Sequence, residues 1–123
     1  MPVVPIRFSG LPGRYIGLVD SGAAGTRIPA ELAKPLGIDL DDAPTERFAA
    51  GAKEYVSKLA PVELQIGKMK PRTMTVAFTA GWYQSHFLLG IRGFFDVYAV
   101  TINAAKGPGR TSVRSARNQY SPA

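Results

Sequence analysis

Apolar and polar positions alternate with a period of two in three segments of the chain, residues 2–8, 62–66 and 74–78. This period puts every second side chain on the same face, so each segment is predicted to be a strand with one buried face. In the first segment, Pro2 and Pro5 lack the amide hydrogen that a central strand donates. They therefore favour an edge strand or a terminal arm at residues 2–8.

Shorter apolar runs, interrupted by glycine and proline, give the remaining elements. Further strands are predicted at residues 14–19, 26–28 and 97–102, the last of them apolar on both faces. A helix of at most two turns is expected at residues 29–34, with Pro29 at its first position and Gly37 ending it, and a second short helix or turn is expected at residues 93–95. Many short strands and little helix predict an all-β domain, either a barrel or a folded sandwich.

The composition of the 123 residues, 46% of them hydrophobic, is that of one globular domain. The absence of cysteine excludes disulfides, thiol nucleophiles and thiolate metal sites. A single histidine, His86, excludes a site with several histidine ligands, and we expect it to be a surface or structural residue. We therefore expect no metal and no cofactor.

No apolar run approaches the roughly 18 residues that cross a bilayer, and the first residues do not have the pattern of a signal peptide. We therefore expect a cytoplasmic protein with no membrane partner. The net charge is +6, but four basic residues and no acidic ones fall in the last twenty positions. Residues 104–123 are thus predicted to be a basic, disordered tail after a domain at residues 1–103, and this uneven distribution argues against nucleic acid as a partner.

One short motif carries candidate chemistry. The apolar run at residues 15–19 leads directly into Asp20-Ser21-Gly22-Ala23. Such a strand delivers the Asp20 carboxylate to the edge of buried space, where a charge must be paired, hydrogen-bonded or protonated. Perturbed carboxylates of this kind are typical of active sites. The same residues would also suit an Asx turn at a strand end, which has no catalytic role.

A second motif, Phe87-Leu88-Leu89-Gly90, follows about 70 positions later, and a long hairpin with its tip near residues 50–53 is predicted between the two motifs. With both motifs at this spacing, the chain resembles the retropepsin-like aspartic proteases over roughly residues 3–103. Residues 20–23 match the family's Asp-Thr/Ser-Gly-Ala signature. Leu88, Leu89 and Gly90 match its second signature, two large apolar residues before a glycine.

The resemblance implies a pepsin-type acid-protease fold and an endopeptidase without a metal or a covalent nucleophile. Two carboxylates a few ångströms apart share one proton, because like charges that close cannot both be ionised. The chain has one Asp in this motif, so two copies of Asp20 would meet across the two-fold axis of a homodimer. One Asp20 would then act as the base for water, while the other, protonated, would polarise the carbonyl of a peptide substrate.

The resemblance also implies supporting roles. Ser21 would hydrogen-bond to the partner's matching loop, and Gly22, next to Ala23, would let the substrate backbone approach. The hairpin tip, formed by Ala49, Ala50, Gly51 and Ala52, would be a flap that covers the cleft and excludes water. Residues 2–8 and 97–103 would form or flank the dimer interface.

The sequence departs from the family at two positions. Retroviral enzymes have an Asp after the Ala and an Arg after the second glycine, and these two residues form an ion pair. Here the positions hold Ala24 and Ile91, with Arg92 one step further on. These departures, with the small residues at the hairpin tip, motivate an alternative hypothesis, a non-catalytic dimerisation or peptide-binding module. A nucleic-acid adaptor acting through the tail is the third hypothesis.

Overall fold

A computed structural model describes residues 2–82, 87–102 and 111–115 of the chain. Within these residues there are nine strands, one short α-helix and one turn of 3-10 helix. The strands are β1 Val3–Phe8, β2 Leu11–Val19, β3 Arg27–Pro29, β4 Thr45–Ala50, β5 Lys53–Ile66, β6 Arg72–Thr79, β7 Phe87–Leu89, β8 Tyr98–Ile102 and β9 Thr111–Ser115; the α-helix α1 is Phe94–Val97 and the 3-10 helix is Ala30–Leu32. The predicted all-β class with short helices is confirmed.

Strands β1, β2, β7, β3, β6 and β5 are neighbours in that order, and β5 pairs with β1 to close the sheet on itself. Closure removes the unpaired edges that an open sheet would expose. Strand β4 lies outside this closed barrel and pairs antiparallel with the first half of β5. The β2–β7 and β3–β6 pairings are parallel. Of the two architectures predicted from the strand pattern, a barrel and a folded sandwich, the structure has the barrel.

The prediction that residues 2–8 form an edge strand or an arm is wrong for Ile6–Phe8. Strand β1 pairs with β2 along most of its length, but only Ile6–Phe8 also pair with β5, so the first half of the strand has one strand partner and the second half has two. The prolines do not prevent this, because pairing with β5 begins only after Pro5. Pro5 contributes its carbonyl oxygen, which accepts from the Gly67 N–H at 2.9 Å.

Alternation along the strands fills the barrel with aliphatic and aromatic side chains. In β1 the even-numbered residues are buried and the odd-numbered ones are exposed. The side chains that are almost wholly buried include Ile6, Ile28, Leu64, Ile66, Phe78, Leu89 and Phe94. Burial of each contributes about 1.5 to 3 kcal/mol, so this core is the main stabilising element of the fold.

The two predicted helices differ in detail from expectation. Pro29 ends β3 and precedes the 3-10 turn Ala30–Leu32, so it does not begin a two-turn helix. Turns follow the 3-10 helix and end at Gly37, where φ is +72°. The helix expected near residue 94 is present as α1, with Phe94 fully buried. In the described part of the chain, no helix has the length and apolar character needed to span a membrane.

Strand β8 pairs antiparallel with β9, as a separate two-stranded sheet. Strand β9 falls within the segment predicted to be a disordered tail, and for Thr111–Ser115 the structure therefore differs from that expectation. Strands that pair only with each other are hard to recognise in a segment rich in Gly, Ser and Arg, because such a segment shows little apolar alternation. Residues 103–110 and 116–123 lie outside the described residues.

Candidate active site

Parallel pairing of β2 with β7 brings the two sequence motifs together. Leu18 lies opposite Leu88, and Val19 lies opposite Leu89. Because the strands are parallel, both end at the same end of the barrel, and each motif turns there. The Asp20 N–H donates to the Leu89 carbonyl oxygen at 2.9 Å, which joins the first motif directly to the second.

The first motif forms a tight turn at the surface. The Gly22 N–H donates to Oδ1 of Asp20 at 2.9 Å, and the Ala23 N–H donates to the Asp20 carbonyl oxygen at 3.1 Å. Asp20 is half-buried, whereas Ser21 and Gly22 are exposed. The side-chain bond is that of an Asx turn, and it fixes the direction of the carboxylate while leaving the turn open to solvent. The two interpretations of Asp20, an Asx turn and a carboxylate held in a fixed direction, therefore describe the same structure.

The second motif is buried and tightly packed. A Cβ added to Gly90 would lie 2.4 Å from the Gly25 carbonyl oxygen and 2.7 Å from that of Ala23, so only glycine fits. The Thr26 hydroxyl, itself buried, accepts from the N–H groups of Gly90 at 3.2 Å and Phe94 at 2.9 Å. Thr26 therefore satisfies two buried backbone donors and holds the turn after β7 in place.

Backbone bonds continue from the second motif to the residues that follow the first. The Ile91 N–H donates to the Ala23 carbonyl oxygen at 2.9 Å, and the Arg92 N–H donates to that of Ala24 at 3.0 Å. The two positions at which the sequence departs from the family, Ala24 and Ile91, therefore still form part of a continuous hydrogen-bonded junction. The Ile91 side chain is 53% exposed beside it.

The predicted hairpin is confirmed as strands β4 and β5. Ala50 lies opposite Lys53, and the turn between them contains Gly51, whose φ of +63° is one that glycine adopts readily, and Ala52. Ala49, Gly51 and Ala52 are exposed. The action of this tip as a flap is not tested by a single chain and stays a prediction.

The face of β4 that points toward the barrel carries Glu46 and Phe48, both half-buried, while Arg47 between them is exposed. Phe48 stacks on Tyr55 with ring centroids 5.2 Å apart, and Trp82 packs edge-on against Tyr55 at 5.4 Å. The three rings form one aromatic cluster, which connects the hairpin to Trp82 after β6. Trp82, predicted to be a core or interface residue, is buried here.

Three charged residues join the hairpin to the junction of the two motifs. Glu46 accepts from Nη2 of Arg27 at 3.4 Å through Oε1 and from Nη2 of Arg92 through Oε2. The Arg27 guanidinium also lies over the Phe48 ring, with Cζ 3.4 Å from the ring centroid. We refer to Arg27, Glu46 and Arg92 as the charged trio.

Burial affects the members of the trio unequally. Arg27 is 5% exposed, and its Nη1 has no hydrogen-bond partner among the described residues. Desolvation lowers the pKa of Arg27, and the adjacent Glu46 carboxylate opposes that shift. The side chain of Arg92 is 43% exposed and that of Glu46 is 24% exposed. Arg92 is thus the member of the trio that solvent reaches most easily.

Sequence reasoning missed Arg27 and Glu46. A signal existed for Arg27, a charged residue within a short, otherwise uncharged strand segment, Thr26 to Pro29. The partner of Arg27 could not be predicted, because Glu46 lies 19 residues away in the sequence. Charge alone does not distinguish Glu46 from the other Asp and Glu residues, of which the chain has nine in total. Three or more side chains able to hold a metal do not cluster anywhere in the described part of the chain. His86 lies outside the described residues.

Comparisons with known proteins bear on the family and the fold of the chain. The model of the aspartyl protease family matches residues 4–92. Twenty-five chains of solved structures match the fold. One is the crystal structure of a retropepsin-like aspartic protease from Rickettsia conorii, with 18% identity and a TM-score of 0.50 over 82% of this chain and 74% of that one. No curated protein matches the chain. The chain therefore belongs to the aspartyl protease family, and its barrel has the retropepsin-like fold.

Proposed function

We propose that the protein is an aspartic endopeptidase that acts as a homodimer, with one Asp20 from each chain in its catalytic pair. The observation that carries this proposal is the turn at Asp20. Its carboxylate is oriented by the Gly22 N–H, tied through its own backbone to Leu89, and left half-exposed at the end of the barrel. That is the arrangement required of a carboxylate that must meet both a substrate and a second carboxylate.

In the proposed reaction, the two Asp20 carboxylates hold a single proton between them, because two adjacent charges would repel strongly. The ionised one removes a proton from water, and the resulting hydroxide attacks the peptide carbonyl carbon. The protonated one donates its hydrogen to the carbonyl oxygen. The tetrahedral intermediate then collapses: the Asp20 that took the proton from water gives it to the amide nitrogen, the C–N bond breaks, and the other Asp20 takes back a proton from a hydroxyl of the intermediate as the new carboxyl group forms. Cleavage requires one protonated and one ionised carboxylate, so the rate should fall on both sides of an optimal pH.

The count of motifs supports the proposal of a site built from two chains. One Asp-Ser-Gly sequence is present in the 123 residues. The exposed Ile91 side chain adjoins the motif junction, and Val3 of β1 is 40% exposed. Apolar side chains in these places support burial by a second copy, although neither residue by itself defines an interface. Ser21 is exposed in the same turn and is proposed to hydrogen-bond to the partner's turn.

The β4–β5 hairpin is proposed to close over the bound peptide as a flap formed by residues 49–52. Its tip of small residues lets backbone approach backbone, and Phe48 and Tyr55, two pairs from the tip, pack with Trp82. Closure would exclude water from the cleft and strengthen the electrostatic interactions there.

The test is cleavage of a diverse peptide library by the purified full chain, followed by mass spectrometry from about pH 3 to about pH 8. We expect cleavage within peptides, with a rate per chain that rises with protein concentration as dimers form. Asp20→Asn should eliminate cleavage. Arg47→Gln, a change on the exposed face of the same hairpin strand, is the matched control and should leave it intact.

Two results would contradict the proposal. One is the absence of cleavage across the library from a folded dimer. The other is cleavage that survives in Asp20→Asn. Peptide binding without cleavage by the wild-type dimer would instead establish the alternative hypothesis, a non-catalytic peptide-binding module.

A further inference from the structure

The charged trio has no part in the chemistry proposed above, yet it adjoins the turn that carries Asp20. Gly25 follows Asp20 by five residues. A Cβ on Gly25 would lie 3.5 Å from Nη2 of Arg92 and 3.7 Å from Nη2 of Arg27. Both guanidinium groups therefore lie against the backbone of the loop that continues from the Asp-Ser-Gly turn.

The trio also touches the hairpin that is proposed to cover the substrate. Glu46 lies on β4, five residues before Gly51. Phe48, on the same face of β4, covers Arg27. The charges thus lie between the motif junction on one side and the base of the hairpin on the other, and a peptide held between those two elements would pass beside them.

The charges of the trio do not balance. Two guanidinium groups, which remain protonated in proteins, share one carboxylate. Nη1 of Arg27 is buried and has no hydrogen-bond partner within the described residues. An excess positive charge in a partly buried site is costly, and a second carboxylate would offset part of that cost.

We propose that Arg27, Glu46 and Arg92 form a specificity subsite that accepts the acidic side chain of a bound peptide, Glu or Asp. The half-exposed Arg92 donates to the incoming carboxylate. Arg27 supplies the second positive charge, and Glu46 positions both guanidinium groups and limits the strength of the attraction. The inference rests on the proposed function in one respect, that a peptide occupies the space between hairpin and motif junction.

Binding to the inactive Asp20→Asn full chain tests the subsite without requiring turnover. The probes are short fluorescein-labelled peptides in which one Glu, or one Gln in its place, is moved through an uncharged background. We expect one position at which the Glu peptide binds about tenfold more tightly than the Gln peptide, which is typical of a hydrogen bond to a charged group in a partly buried site. Added salt should reduce that ratio.

Variants of the charged trio distinguish a role in peptide recognition from a purely structural role. In the Asp20→Asn background, Arg92→Gln should bring the Glu-to-Gln ratio close to one. Glu46→Gln should raise the ratio, because it releases both guanidinium groups for the peptide. Arg47→Gln removes a guanidinium from the adjacent position of the same strand, where it pairs with the exposed Glu54 at 3.2 Å, and should leave the ratio unchanged.

Equal binding of Glu and Gln peptides at every position would overturn the subsite, as would a failure of any peptide to bind. A ratio that falls in Glu46→Gln, in a variant whose circular dichroism and urea midpoint match the parent, would also overturn it. Measuring peptide cleavage by the wild type distinguishes failure of the proposed subsite from failure of the proposed function. Cleavage without a preference for Glu removes only the subsite, whereas a preserved preference without cleavage removes only the endopeptidase.

Discussion

The two motif turns lie side by side at one end of the barrel, yet they are built in opposite ways. The turn at Asp20 is open, with Ser21 and Gly22 exposed, and its side-chain bond spans two residues. The turn at Gly90 is buried, with the Gly25 carbonyl oxygen so close that no side chain fits. Parallel pairing places both turns at the same end of the barrel, but their surroundings leave the first open to solvent and bury the second.

This difference predicts that substitutions in the two turns will have separate consequences. Changes in the open turn should reduce catalysis while the fold persists, because few contacts depend on that turn. Changes in the buried turn should reduce stability, because backbone atoms of several segments meet there. Measuring both the cleavage rate and the free energy of unfolding of one variant shows whether the two effects are mixed.

The largest expected effect is on catalysis in Asp20→Asn. The amide keeps Oδ1 as an acceptor for the Gly22 N–H, so the free energy of unfolding should change by less than about 1 kcal/mol. The peptidase rate should fall by about a thousandfold or more, since the amide cannot transfer the proton. Peptide cleavage and urea unfolding on the same samples check both parts. A loss of stability comparable to the loss of activity would show that the open turn is also structural.

Gly90→Ala should have the largest effect on stability. Its Cβ would meet the carbonyl oxygens of Gly25 and Ala23 at 2.4 and 2.7 Å, and these backbone atoms cannot move without disturbing the junction. We expect a loss of about 3 kcal/mol or more in urea unfolding. Gly22→Ala is the matched control in the open turn, because its Cβ would lie 3.2 Å from the Asp20 carboxylate alone. That control should cost less than about 1 kcal/mol. Equal losses of stability in Gly90→Ala and Gly22→Ala would contradict the difference between the buried and the open turn.

Thr26→Val tests how the buried turn is held. Valine has nearly the shape of threonine but removes the hydroxyl that accepts from the N–H groups of Gly90 and Phe94. The loss of this acceptor for two buried donors should cost about 2 to 3 kcal/mol. Thr26→Ser keeps the acceptor and should cost about 1 kcal/mol, for the lost methyl group. If the serine variant were the less stable of the two, packing rather than hydrogen bonding would hold this turn.

The smallest effect is expected at the exposed pair Arg47–Glu54, whose side chains are 69% and 65% exposed. Solvent screens this pair, so Arg47→Gln should change the free energy of unfolding by no more than about 0.5 kcal/mol. The pair shares its hairpin with the charged trio, in which Arg27 is nearly buried. A thermal melt of Arg47→Gln beside the wild type measures this change. A large effect at Arg47 would mean that the stability of the hairpin depends on its surface charges.

Local patterns were enough to predict the parts of the molecule that depend on neighbouring residues. Alternation located the strands, and Gly51 located the hairpin turn. The apolar strand that runs into Asp20 was sufficient to place that carboxylate at a strand end. Together with the second motif, it indicated the family that the comparisons then supported. In each case the information lies within a few residues of the feature predicted.

Long-range closure could not be predicted in the same way. The prolines of β1 predict an edge strand only if no second strand pairs with the residues that follow them. Ile6–Phe8 do pair with β5, and this pairing depends on closure of the whole barrel. The charged trio joins residues 27, 46 and 92, and no period in the sequence connects them. Strand β9 depends on pairing with β8 in a segment without apolar alternation.

The proposal that two chains share one catalytic site is tested most directly by mixing subunits. Wild-type chains at a fixed concentration are unfolded and refolded together with increasing amounts of Asp20→Asn, and peptide cleavage is then measured. Mixed dimers carry one Asp20 each, so an equal amount of the variant should reduce the cleavage rate to about half, and a large excess should nearly abolish it. A cleavage rate that stays constant as the variant is added would mean that one chain is sufficient, and would contradict the shared site.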